Sequence, residues 1–189
     1  MMTDYKILNN KRDYYEKKLK ANPGSAELYY KYADFLVENL PEDELAIFLC
    51  VKALDINPDY LEVHRLLGKL YFEEGKNYYL SKYHYDKILA IEPNDTDALY
   101  NKGEIYSIGF EKYNKAKYYL EKAIETDPKN DKAHYSLSYL LANQFSDFDK
   151  AKFHYKRAVS LNDTFINNQF EKEINKRITD NNERWTMDD

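Results

Sequence analysis

The sequence predicts an all-α solenoid of stacked antiparallel helix pairs, and three observations predict it. Pro23, Pro58, Pro93 and Pro128 stand 35 residues apart, and Asp163 holds the next place in that series. Each of these positions closes a similar decapeptide: YYEKKLKANP, LCVKALDINP, HYDKILAIEP, YLEKAIETDP and HYKRAVSLND. Only five glycines and five prolines interrupt 189 residues, and β-type alternation is nowhere sustained. A fixed period in this range marks supersecondary units that bury their apolar faces on one another.

The elements follow in order. Residues 1–9 carry no repeat signal and form an N-terminal segment. Residues 10–23 read as a lone second helix; Lys11 and Lys18 stand where later units place small residues, as suits an edge facing water. Four full repeats follow at about 24–58, 59–93, 94–128 and 129–163. Their first helices carry Tyr29, His64, Leu99 and His134 in one column, then the small Ala33, Gly68, Gly103 and Ser138, then Leu36, Tyr71, Tyr106 and Leu141. Their second helices carry Ala46, Ser81, Ala116 and Ala151, then Cys50, Tyr85, Leu120 and Tyr155, then Ala53, Ile88, Ala123 and Ala158. Steps of three and four residues put each set on one side of its helix. Small residues let backbones approach where helices cross, and bulky ones fill the space beside the crossing. Each proline then stops a second helix, because it lacks an N–H and disfavours helix in the residue before it. In TFINNQFEKEINKRITD (164–180), Ile166, Phe170, Ile174 and Ile178 form a stripe, with Glu171, Lys172, Lys176 and Arg177 toward solvent. This predicts a helix that caps the last repeat. The tail NNERWTMDD (181–189) has no periodicity and is expected to be mobile.

Composition narrows the function. A net charge of −5 and a pI near 5.5 disfavour binding to a phosphate backbone. Cys50 is the single cysteine, so no internal disulfide or cysteine-based zinc site is available, and a buried, inert thiol in a reducing compartment is expected. The start MMTDYKILNN lacks the apolar core of a signal peptide, and no run is long enough to span a bilayer. The expectation is a cytoplasmic protein in which the sequons at Asn94 and Asn162 are chance. Phosphate loops, paired metal-ligand motifs and nucleophile elbows are absent, so neither an enzyme nor a cofactor is expected. His64 and His134 share one column and His84 and His154 another; the members of each pair lie two units apart and are read as packing or surface residues. In Tyr14–Tyr15, Tyr78–Tyr79 and Tyr118–Tyr119, one ring is expected to pack and its neighbour to lie near the surface.

With these columns laid out, the chain resembles the tetratricopeptide repeat family, whose pattern of large, small and aromatic positions ends in proline. GEIYSIGFEKYNKAKYYLEKAIETDP (103–128) carries the likeness best, and the resemblance extends over about 10–163. It implies a right-handed superhelix whose first helices line a concave groove for a peptide or partner helix. The family period is one residue shorter; the extra residue here falls in the internal turns LPEDEL, GKNYYL, GFEKYN and QFSDFD. Pentatricopeptide repeats share the present length and read RNA, but the acidic charge and the small–aromatic–small second helices count against them.

The resemblance places Tyr30 and Asp34, then Arg65, Lys69 and Phe72, then Tyr100, Asn101 and Glu104, then Lys132, Tyr135 and Tyr139 on the groove. Rings offer a peptide large apolar area at low entropic cost, although the same rings could only pack against neighbouring units. Co-chaperone members of the family clamp acidic C-terminal tails. Asn101 and Lys132 match that clamp and Arg65 preserves its charge, while Lys69 and Ser136 depart from it. The expected role is therefore a non-enzymatic protein-interaction scaffold; an adaptor for acidic chaperone tails is the alternative. The tail's Trp185 and terminal acids add an expectation of self-association.

Overall fold

The computed structural model describes residues 2–40, 42–73 and 76–187, with side chains described for 7–40, 42–73 and 76–180. Among the described residues every regular element is helical. In order they are α1 (Met2–Ala21), α2 (Ala26–Asn39), α3 (Asp43–Ile56), α4 (Leu61–Glu73), α5 (Tyr78–Ile91), α6 (Thr96–Glu104), α7 (Tyr113–Thr126), α8 (Asp131–Gln144), α9 (Phe148–Leu161) and α10 (Asn168–Met187). A π-helical turn, Ile105–Gly109, prolongs α6, and a 3₁₀ turn, Asp163–Phe165, precedes α10. The chain divides after Ile91 into two compact units. Unit 1 pairs α2 with α3 and α4 with α5; unit 2 pairs α6 with α7 and α8 with α9.

Local chemistry sets the helix ends at the repeat period. Ser25, Asp95 and Asn130 cap first helices by accepting from the N–H of Leu28, Ala98 and Ala133. Asn57, Asp127 and Asn162 close second helices by donating their N–H to Ala53, Ala123 and Ala158. The internal turns have a geometry of their own. The N–H groups of Asn77, Lys112 and Asp147 reach back to the carbonyls of Tyr71, Tyr106 and Leu141. The residue before each donor takes a positive φ: Lys76 at 44°, Glu111 at 52° and Ser146 at 52°. These left-handed residues again stand 35 apart, so the residue by which the repeat exceeds 34 is absorbed by the same strained turn each time. The remaining place in that column, residue 41, lies outside the described residues.

Packing follows the columns. In unit 1, Ala33, Leu36, Ala46, Cys50 and Ala53 are fully buried; in unit 2, Ala116, Leu120, Ala123, Leu137, Ala151 and Ala158 are. Gly68 lies against Tyr85 and Gly103 against Leu120, so that an added Cβ would meet Tyr85 at 2.8 Å and Leu120 at 2.7 Å. Burial pushes the Cys50 thiol up to about 12, which makes it inert as a nucleophile. Tyr79 and Tyr118 are exposed while Tyr78 and Tyr119 are half-buried, and Tyr15 stacks on Tyr32 beside the exposed Tyr14.

The ends depart from the boundaries drawn on the sequence. α1 begins at Met2, and the backbone of α10 runs on to Met187. Periodicity marks only the packed face of a helix, whereas its length is set by where a breaker falls, and neither Gly nor Pro occurs in 2–21 or 168–187. Ile166 precedes α10 and is 56% exposed, so the capping stripe reduces to Phe170, Ile174 and the half-buried Ile178. Phe165 fills the vacated role by stacking on Tyr135 at 4.5 Å. The side chains of the tail, including Trp185, lie outside the described residues.

Candidate functional site

A repeat scaffold displays its variable side chains on the first helices, and the two units differ there. In unit 1, Tyr30 rests 5.4 Å from the Tyr60 ring, and Phe72 meets Tyr78 edge-on at 5.7 Å. Arg65 is half-buried; Lys69 is exposed and lies 3.9 Å from Glu73. Asp34 is half-buried on the same side. Burial raises its pKa first and Glu38 adds to the rise, while the Lys69 ammonium pulls it back.

Unit 2 forms a cleft of about 420 Å³ between α8 and α6 with its π-helical turn. Glu104, Ser107 and Ile108 form one wall; Tyr135, Ser136, Tyr139, Leu140, Asn143 and Gln144 form the other. Ile108 and Leu140 supply apolar surface, and Ser107, Asn143 and Gln144 supply neutral donors and acceptors. Glu104 is the one charged group among the described lining residues. Burial raises its pKa, and the Ser136 hydroxyl, which hydrogen-bonds toward it, offsets part of the rise. Tyr100 beside it is pushed up to about 12, by burial first and then by the Glu104 charge.

The predicted groove residues are thus only partly gathered. Tyr135 and Tyr139 line the cleft and are also held from behind. Their hydroxyls lie 3.3 Å apart, Asn167 donates to Tyr139 at 2.8 Å, and Tyr139 stacks on Phe170 at 3.8 Å. Burial raises the Tyr139 pKa. Tyr100 adjoins Glu104 through Ser136 without lining the cleft. Asn101 sits on α6 with its amide donating to the Asp97 carbonyl at 2.7 Å, and Lys132 is exposed on the first turn of α8. Missed on the sequence were Ser107, Ile108, Leu140, Asn143 and Gln144. A signal existed: Ile108 and Asn143 share one column, a single turn beyond Glu104 and Tyr139, and the groove columns had been extended too short a distance along the helix.

The histidines also meet differently from the columns that first paired them. His64 and His84 bring their Nδ1 atoms to 2.9 Å, as do His134 and His154. The contact runs across one helix pair, at a separation of 20 residues, rather than between units. His64 Nε2 lies 2.9 Å from the Pro58 carbonyl and His134 Nε2 3.3 Å from that of Pro128. A carbonyl only accepts, so Nε2 carries the hydrogen in both rings; their Nδ1 atoms then accept from the Nδ1–H of His84 and His154. Burial lowers all four pKa values, bringing His84 and His154 to about 4. These are packing contacts: His64, His84 and His134 are at most 6% exposed, and His154 is half-buried. Among the described residues, no group of three or more His, Cys, Asp or Glu gathers around one point where a metal could sit. No helix among them is long and apolar enough to cross a membrane.

Comparison with known proteins gives the class. Residues 96–130 match the tetratricopeptide repeat family. The chain superposes on MamA (residues 41 to the end) from Desulfovibrio magneticus RS-1 with a TM-score of 0.73 at 22% identity, covering 83% of this chain and 86% of that one. PilW, a widely conserved type IV pilus biogenesis factor, matches with a TM-score of 0.75 at 20% identity, over 91% and 79% of the two chains. YrrB, described as a TPR protein with an unusual peptide-binding site, gives 0.65 at 22%, over 78% and 74%. No curated protein matches the chain. Residues 96–130 thus carry one matched tetratricopeptide repeat, and the chain shares the helical-repeat fold of these solved structures.

Proposed function

We propose that this chain is a non-enzymatic interaction scaffold that holds a peptide or short helical segment of a partner protein in the cleft between α6 and α8. The observation that carries the reading is the cleft itself: a recess of about 420 Å³ between first helices of consecutive repeats, with apolar surface from Ile108 and Leu140 beside the polar groups of Ser107, Asn143 and Gln144. The peptide-binding site described for YrrB on the same fold supports looking for one here. The lone buried Cys50 thiol suits a reducing, cytoplasmic setting.

The alternative, a clamp for acidic C-terminal tails, draws less support. Lys69 stands beside Glu73 and Asp34, and the Asn101 amide already serves its own helix. Self-association through Trp185 and the terminal acids rests on charge complementarity alone.

Selection from a displayed library of random short peptides tests the cleft. Asn143→Trp fills it from an exposed position and should leave the fold intact by circular dichroism. Peptides enriched on the wild type and lost on Asn143→Trp place binding in the cleft; peptides held equally by both overturn the reading.

A further inference from the structure

We propose that the cleft selects partner segments bearing a lysine or arginine, whose cationic head docks on Glu104. This rests on the cleft reading above and specifies the partner's chemistry. Among the described residues that line the recess, one is a carboxylate and none is a lysine, arginine or histidine. Lys102, two residues away, is 6% exposed and lays its ammonium 4.3 Å from the Tyr119 ring. Burial and the Ser136 hydroxyl are the two influences on Glu104, and a hydroxyl cannot neutralise a carboxylate.

The repeat supplies its own control. Position 104 belongs to the column 34, 69, 104, 139, which reads Asp34, Lys69, Glu104 and Tyr139. In unit 1 the acid at 34 is followed one repeat later by a cation, whose charge acts on it. In unit 2 the acid at 104 is followed by Tyr139, whose hydroxyl already accepts from Tyr135 and Asn167. The place of the internal cation is therefore taken by a neutral ring, and the carboxylate is left half-desolvated beside an open recess. A guanidinium or ammonium arriving there gains more from the charge than it would at an open surface. Ser107, Asn143 and Gln144 are placed to bond the backbone on either side of such a residue.

The experiment uses the full chain and peptides selected on it. A selected peptide containing arginine is resynthesised with citrulline, its neutral isostere, and both are titrated against wild type and Glu104→Gln. On the wild type, citrulline should weaken binding about ten- to hundredfold; on Glu104→Gln, the two peptides should bind alike. Glu104→Lys should select peptides carrying aspartate or glutamate instead. If the selected peptides show no enrichment in basic residues, or if citrulline costs as much on Glu104→Gln as on the wild type, the Glu104 assignment is overturned while cleft binding stands. If the peptides bind Asn143→Trp undiminished, the cleft reading fails and this one with it.

Discussion

Asp34 in unit 1 and Glu104 in unit 2 occupy the same column of the repeat, both half-buried on a first helix and both raised in pKa by burial. One repeat further on, the column holds Lys69 in unit 1 and Tyr139 in unit 2. The first acid is answered within the protein, although loosely, because Lys69 also lies near Glu73. The second has a serine hydroxyl, and no cation among the described residues that line its recess. The difference teaches how a repeat fold acquires specificity: the scaffold fixes where the carboxylate stands, and a single residue one period away decides whether its charge is satisfied internally or left for a partner.

That comparison assumes units otherwise built alike, and acid offers the strongest way to break it. Each unit holds one packed histidine pair whose pKa values the fold depresses. The fold thus favours the neutral rings; their contribution to stability is complete above about pH 6.5 and is lost as pH falls, for His84 and His154 toward about 4, on the order of 1 kcal/mol per pH unit for each of these two. Repeat three places Leu99 and Tyr119 where the histidines stand. The pair His64→Leu with His84→Tyr should therefore flatten the acid slope contributed by unit 1, and His134→Leu with His154→Tyr that of unit 2 by a similar amount. Chemical denaturation across this pH range measures both; unequal slopes would mean that the two units are not equivalent.

The helix crossings give the next largest effect. Gly68→Ala and Gly103→Ala should each destabilise by about 1–3 kcal/mol through overpacking, outweighing the helix-propensity gain of about 1 kcal/mol. Gly103→Ala should cost more, because its Cβ meets the branch carbon of the fully buried Leu120, whereas at Gly68 it meets the outer edge of the Tyr85 ring. Thermal melts of the two variants rank them.

A sharper and smaller test removes the acids themselves. Glu104→Gln should stabilise the free protein by up to about 1 kcal/mol, since it relieves a desolvated carboxylate without a cation, while Asp34→Asn should be close to neutral because Lys69 loses its partner at the same time. A destabilised Glu104→Gln would show that the glutamate serves the fold instead of a ligand. Smallest are the turns. Lys76→Gly in unit 1 and Glu111→Gly in unit 2 should each raise stability by about 0.5–1 kcal/mol, as glycine removes the left-handed strain. Equal gains in melts would confirm that both turns absorb the extra residue in the same way.

Much of this protein was legible in its sequence because a repeat writes the same physical instruction several times. Helix type, the 35-residue unit, the prolines that end second helices, the small residues at crossings and the burial of one tyrosine in each adjacent pair are local or periodic properties. Steric size and backbone chemistry act within a few residues, so a one-dimensional reading recovers them. Helix lengths at the two ends were less legible, because a helix persists beyond its packed face until a breaker stops it.

The tertiary structure decided which chemistry meets which. That His64 faces His84, and not its column partner His134, depends on two antiparallel helices closing a distance of 20 residues in sequence to 2.9 Å in space. That Tyr139 is held by Phe170 and Asn167 depends on how α10 and the residue before it are set by packing on α9. That Glu104 is the one charged group among the described residues lining the recess depends on Ser136 and Asn143 arriving from the neighbouring first helix and on Lys102 lying against Tyr119. Periodicity assigns a residue to a face, but desolvation and pairing depend on what the next helix brings to that face, and the energy of a charge is set by those neighbours.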